Sequence, residues 1–356
     1  MRFNLTSTIT MPEHKLRREV IQLCRTTGKP ILKLSTKDYL EHNMMHWVNE
    51  FGSAGLVNIE VFNQLQHTIT GWPGGKPNAD DTNRPERALP FPKRVLVFSP
   101  HPDDDVISMG GTIRRLIQQE NDVHVAYETS GNIAVNDEEY DRFIHFLKGY
   151  CRLSHTPPPD ETVPVLAVKA LIRRGEAQLA CAYNGIDDSH IHFLDLPFYE
   201  SGKIEKRPMT ETDVRIVQEL MARIQPHQIY VAADLADPHG THRKCTDAVL
   251  AAIDEEKERG ATWLDDCRVW MYRGAWAEWD VADIEMCVPM SPEELREKRN
   301  AILKHQSQME SAPFLGNDER LFWQRAEDRN RATAQIYDDL GLACYEAMEA
   351  FVEYHF

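Results

Sequence analysis

No stretch of the 356 residues approaches the roughly 18 consecutive apolar residues that a membrane helix needs, so no membrane partner is expected. The opening segment, MRFNLTSTITMPEHKLRRE, has no apolar core of the kind a secretory leader carries, and a cytoplasmic location is expected. Cationic charge is short as well. Against 56 Asp and Glu stand 40 Lys and Arg, a net charge of −16, which excludes a nucleic-acid partner held by general phosphate neutralisation. The seven cysteines are odd in number, scattered, and never in a Cys-x-x-Cys spacing, so they read as reduced and mostly buried thiols. There is no internal repeat, no low-complexity tract and no Gly-x-Gly-x-x-Gly fingerprint. Gly74-Gly75-Lys76 lies among prolines without a strand-to-helix context and is set aside as a phosphate loop.

What the chain does have is an ordinary globular composition, 42% hydrophobic and 27% charged, with enough length for one large domain and a small companion. Residues 71–92 hold five prolines and three glycines, a density that blocks helix and sheet alike and marks a connector. Residues 1–70 before it read as a small helical or α/β segment: a helical pattern at about 11–26, an apolar β run Pro30–Leu34, and a helix capped near Ser35 or Thr36. Such a piece can bury only a modest core and should pack on the main domain.

After the connector, strand-length apolar runs alternate with amphipathic helical windows. The expected strands are Arg94–Phe98, Val123–Tyr127, His190–Leu194, Gln228–Ala232 and Arg268–Tyr272. Helices are expected at about 109–120, 137–149, 168–184, 211–224 and 240–257, with two long charged helices, about 291–310 and 318–352, closing the chain. This predicts an α/β fold, a Rossmann-like and mainly parallel sheet with helices on both faces, occupying residues 93–310, with a helical extension at 311–356. Ligands of such sheets bind beyond the carboxyl ends of the strands, so the loops there carry the chemistry.

Two of those loops do. After the first strand comes Ser99-Pro100-His101-Pro102-Asp103-Asp104-Asp105, leading to Met109-Gly110-Gly111-Thr112. Its prolines fix φ, so that His101 and Asp104 can be pre-set toward one point, and nitrogen plus oxygen ligation suits Zn²⁺. As simple helix-capping acids, Asp103 to Asp105 would instead balance the helix dipole. The second loop follows Gln228–Ala232 and reads Asp234 to Arg243, with His239 and His242 three apart at a helix start. Together the loops offer His101, Asp104 and one of the two later histidines as three ligands, with a fourth position left open for water or substrate, as in catalytic zinc sites. A spare carboxylate, Asp103, and a spare histidine remain for proton transfer and oxyanion stabilisation, which points to amide hydrolysis. Trp270, Tyr272, Trp276 and Trp279 cluster near the last strand; they suit sugar stacking, but core packing accounts for them better.

The segment SPHPDDDVISMGGT, followed at a distance by DPHGTHR, resembles the LmbE/PIG-L family of zinc-dependent N-acetylglucosaminyl deacetylases. Thr129-Ser130-Gly131, Arg173-Arg174-Gly175-Glu176-Ala177 and Lys298-Arg299-Asn300-Ala301 leading to His305-Gln306-Ser307-Gln308 support the likeness. The resemblance implies that His101, Asp104 and His242 bind one zinc per chain, that Asp103 is the general base, and that His239 assists at the tetrahedral intermediate. It also implies that Arg173 binds sugar and that Glu200 contacts sugar hydroxyls. The sequence departs from the commonest family pattern at Asp105, where Glu is usual, and at Asn132, where an acid often stands. The connector and the residues before it resemble the junction in long bacterial proteins that join a glucosamine-6-phosphate deaminase-like half to a deacetylase-like half. A substrate of the N-acetylated amino-sugar class, free, phosphorylated or in an oligosaccharide, is expected, and a homo-oligomer is compatible with the sequence. A metal-dependent phosphoesterase and a non-catalytic sugar-binding module are the two alternatives.

Overall fold

The structure, a computed structural model, describes residues 12–79, 82–156, 164–201, 206–234, 240–274, 277–309 and 320–356. The proposed catalytic His239 and the aromatic Trp276 lie outside these residues.

Seven strands form one sheet in the order β3-β2-β1-β4-β5-β7-β6. β1 (Arg94–Ser99), β2 (Asp122–Tyr127), β3 (Ile191–Phe193), β4 (Gln228–Ala232) and β5 (Arg268–Tyr272) run parallel, as their near-continuous apolar content requires of strands covered on both faces. Helices α5 (Asp104–Gln118), α6 (Asp137–Ser154), α7 (Val165–Asn184), α8 (Glu211–Ile224) and α9 (Thr241–Glu258) supply the crossovers. The order reverses between β1 and β4, so a crevice opens beyond the carboxyl ends of those two strands.

Three expectations for regular structure need correction. The run at Pro30–Leu34 is a 3₁₀ turn, Ile31–Lys33: Ile31 and Leu34, three apart, reach the core while Leu32 is exposed, a spacing that no strand alternation provides. The segment before the connector is therefore helical in its described residues: α1 (Pro12–Thr27), α2 (Thr36–Glu41), α3 (Met45–Phe51) and α4 (Ala54–Thr68). The helix expected at 291–310 is shorter, α10 (Pro292–Ile302) followed by a 3₁₀ turn at Gln306–Gln308. The helix expected at 318–352 is α11 (Phe322–Asp339) and then a strand, β7 (Ala347–Tyr354). β7 pairs antiparallel with β5 and with β6 (Met286–Met290), the edge strand, where Pro289 costs no internal ladder bond.

The N-terminal helices do not stand apart. Leu16, Val20, Val57 and Leu65 share one core cluster with Leu96, Val249 and Val281. Arg17 Nε donates to the Ala282 carbonyl at 2.7 Å, and Thr68 Oγ1 lies 2.8 Å from Tyr337 Oη. The connector is fastened by buried Lys93, whose ammonium donates to the carbonyls of Gly74, Arg87 and Pro90 at 2.7–3.1 Å.

Helix α5 is broken at Met109, whose φ and ψ are −141° and 26°. The break frees the N–H groups of Gly111 and Thr112, and both donate to the Glu349 carboxylate of β7, at 3.0 and 2.7 Å. Lys298 on α10 neutralises that carboxylate at 2.8 Å and donates to Asn330 Oδ1 at 2.7 Å. A Cβ at Gly111 would fall 2.4 Å from Met290 Sδ, so the close approach of helix to strand requires glycine there.

Candidate metal centre and active site

The crevice is lined from β1 by the turn into α5 and from β4 by the start of α9. Asp103 stands at the N-cap of α5 and Asp104 in its first turn, while His242 is in the first turn of α9. Ring atoms of His101 and His242 and a carboxylate oxygen of Asp104 lie within 4.8 Å of one another. Asp104 Oδ2 is the hub: it accepts from the His101 backbone N–H at 2.9 Å and sits 3.0 Å from His101 Nδ1 and 3.2 Å from His242 Nε2. The Asp104 and His242 side chains are almost wholly buried, whereas His101 keeps 22% of its side chain exposed, which leaves the group an open side.

The donor set fits a divalent metal on its chemistry. His242 Nδ1 lies 3.1 Å from the Asp234 carbonyl, a pure acceptor, so Nδ1 carries a proton and the ring presents Nε2, the nitrogen a metal would take, to Asp104. Burial alone would raise the Asp104 carboxyl, but the imidazoles of His242 and His101 reverse this and hold it well below the usual carboxylate range, in the ionised form a ligand needs.

Asp103 is placed differently. Its Oδ1 lies 3.1 Å from Nη2 of Arg173, a guanidinium on α7 that is itself 1% exposed. Burial pushes the Asp103 carboxyl up, opposed by the Arg173 charge and reinforced by neighbouring Asp104. Gly131, at φ 62°, makes room for this pair: a Cβ there would come within 2.9 Å of Pro102 Cδ and 3.2 Å of Arg173 Cζ. Glu200 lies against the same loop, accepting from the Ser130 N–H at 3.2 Å. Asp105 faces away, into the sheet: Tyr127 Oη donates to its Oδ2 at 3.1 Å, and burial pushes its carboxyl up to about 7.

Other residues at the site went unread in the sequence. Glu128, the residue after β2, is fully buried, and burial pushes its carboxyl up to about 8 against the opposing charge of His242. His305 is buried with neither ring nitrogen hydrogen-bonded among the described residues, and burial with the Arg173 charge lowers it to about 3. Glu176 fixes the His305 segment by accepting from Ser307 N and Oγ, both at 2.6 Å. Glu128 directly precedes the Thr129-Ser130-Gly131 motif without being part of it, and His305 and Glu176 stand within motifs but carried no assigned role. Trp270, Tyr272 and Trp279 are buried and belong to the packing of the sheet.

Comparison with known proteins places this geometry. Residues 96–253 match the PIG-L family, GlcNAc-PI de-N-acetylase. A glucosamine-6-phosphate deaminase-like protein of Bacteroides thetaiotaomicron is 64% identical over 360 residues, covering 95% of this chain and 54% of that protein. The chain thus spans about half the length of the curated relative it matches. Among solved structures, the N,N'-diacetylchitobiose deacetylase of Pyrococcus horikoshii shares the fold with a TM-score of 0.50 at 20% identity, covering 74% of this chain and 84% of that one. GalB, a 4-carboxy-2-hydroxymuconate hydratase of Pseudomonas putida, has a TM-score of 0.49 at 16% identity, covering 74% and 97%. His101, Asp103, Asp104, Arg173 and His242 all fall inside residues 96–253, the part of the chain that matches the PIG-L (LmbE-like) deacetylase domain.

Proposed function

We propose that this chain is a zinc-dependent hydrolase that removes the acetyl group from an N-acetylated amino sugar of the N-acetylglucosamine class. The observation that carries the reading is the approach of His101, Asp104 and His242 to within 4.8 Å, with the spare carboxylate of Asp103 next in the chain. His101, Asp104 and His242 would hold the metal. When bound, zinc supplies Lewis acidity, which makes water a competent nucleophile near neutral pH and polarises the amide carbonyl.

The rest falls to the chain's own side chains. Asp103 accepts the proton of the attacking water as the new carbon–oxygen bond forms, and its raised proton affinity in the buried site suits a general base. Arg173 holds the Asp103 carboxylate by its charge and fixes its direction. His239 serves at the tetrahedral stage. The carbon–nitrogen bond then breaks, a proton passes to the leaving nitrogen, and acetate and the free amino sugar result. The positive ends of α5 and α9 open on the crevice and favour the negative charge that develops there. Arg173 and Glu200 are the proposed sugar contacts, Glu200 through the rim it shares with Ser130.

One zinc at this site in each chain and action in the cytoplasm complete the proposal, which leaves free, phosphorylated and oligomeric sugars all open as substrates. No helix among the described residues is long and apolar enough to cross a membrane. The test is acetate release across a panel of N-acetylated sugars, with and without chelator. Chelator-sensitive release from at least one sugar is expected; a metal-loaded protein that releases acetate from none of them overturns the reading.

A further inference from the structure

A second group of metal-ligating side chains lies at the opposite end of the sheet. Asp122 and His124 open β2, and His190 ends the 3₁₀ turn Asp188–His190 that leads into β3, so all three sit at the amino ends of parallel strands. The crevice described above lies beyond the carboxyl ends. We propose that Asp122, His124 and His190 form a separate binding site for a divalent transition-metal ion, with Ser189 and His192 as the groups that orient its imidazoles.

The geometry is that of a prepared ligand set. Asp122 Oδ1 lies 2.9 Å from His190 Nε2 and 3.5 Å from His124 Nε2, and the three ligand atoms are within 4.8 Å of one another. Ligands about 2.0–2.1 Å from a tetrahedral zinc stand about 3.3 Å apart, so small movements admit an ion. The 3.5 Å contact, in contrast, is long for a hydrogen bond.

Each ligand imidazole also has a hydrogen-bond partner at its other nitrogen: His190 Nδ1 lies 3.0 Å from Ser189 Oγ, and His124 Nδ1 lies 3.1 Å from His192 Nε2. With Nδ1 turned outward, both Nε2 atoms face Asp122, and a metal would take the place of the proton that His190 Nε2 shares with that carboxylate, the usual outer-shell arrangement of ligating histidines.

The rings of His190 and His192 stack on that of His124, with centroids at 4.3 and 5.3 Å, an arrangement that suits neutral imidazoles. Arg94 and Arg223 line the same cavity, so a hard cation drawn by charge alone is repelled. A transition-metal ion draws instead on imidazole lone pairs. Asp122 is 42% exposed and gives the ion a way in. Bound there, the ion joins β2 to the turn before three-residue β3 and pins the sheet edge.

The test uses the full chain, stripped of metal and titrated with Co²⁺, read by its d–d absorption, and with Zn²⁺ by calorimetry. A His101→Ala/His242→Ala protein is expected to keep one equivalent, and adding Asp122→Asn or His124→Gln should weaken that binding at least about tenfold, as should His192→Phe. If the first double variant fails to fold, His124→Gln alone serves: its stoichiometry should fall by one equivalent with acetate release unchanged. A folded His101→Ala/His242→Ala protein that binds neither ion overturns the proposal, as does a retained equivalent indifferent to Asp122→Asn and His124→Gln. Failure of the hydrolase reading would show separately, as absent acetate release from the metal-loaded wild type.

Discussion

The Lys298 ammonium and the Glu349 carboxylate meet at 2.8 Å with neither side chain exposed to solvent. Removing one partner leaves the other charge buried and alone. Lys298→Ala should therefore lose about 3–5 kcal/mol of stability, seen as a lower urea midpoint. Replacing both residues with apolar ones should not restore it fully, because the Gly111 and Thr112 N–H groups would then lack an acceptor.

Asp103→Asn keeps the shape of the side chain but removes its basicity. On the proposed mechanism kcat should fall by about 10²–10⁴, with bound metal unchanged by elemental analysis, since Asp103 is no ligand. A variant with full turnover would remove Asp103 from the base role.

Gly131→Ala combines a left-handed backbone with a Cβ 2.9 Å from Pro102 Cδ and 3.2 Å from Arg173 Cζ. The conformation alone costs about 1–2 kcal/mol, and displacement of the guanidinium adds to it. Thermal unfolding should show the loss, and turnover should drop further than in a variant destabilised equally elsewhere, because the Asp103 partner moves.

His305 supplies a pH dependence. Burial lowers it to about 3 in the folded chain, against about 6.5 when unfolded, so the unfolded state binds the extra proton between these values. Stability from this source is complete above about pH 6.5 and is lost as pH falls toward 3. His305→Gln should flatten the fall in urea midpoint between pH 7 and pH 5 relative to wild type.

The parallel half of the sheet was legible because its strands are apolar runs spaced by amphipathic helices; β4, β5 and α8 have the expected bounds. The three side chains proposed as metal ligands come from loops the sheet pattern singles out: His101 and Asp104 follow directly from the end of β1, and His242 stands in the first turn of the helix after β4, the strand beside it. β7 was not legible, because AMEAFVEY is rich in good helix formers and its strand state is imposed by pairing with β5 and β6. The expected long helix stops at Leu340, and Gly341 follows at φ 92°. The Asp103–Arg173 pair was also invisible, since nothing in the spacing of 70 residues shows that α7 turns this guanidinium on the turn after β1.

β7 is buried along both faces over its first six residues, so the inside–outside alternation that usually fixes strand register is missing. A slip by one residue would bring Met348 or Ala350 to the opening in α5 and turn Glu349 to the other face, stranding two amides and the Lys298 charge. A single acid thus proofreads the alignment of the sheet, which makes position 349 intolerant of exchange although it is none of the side chains proposed for the chemistry.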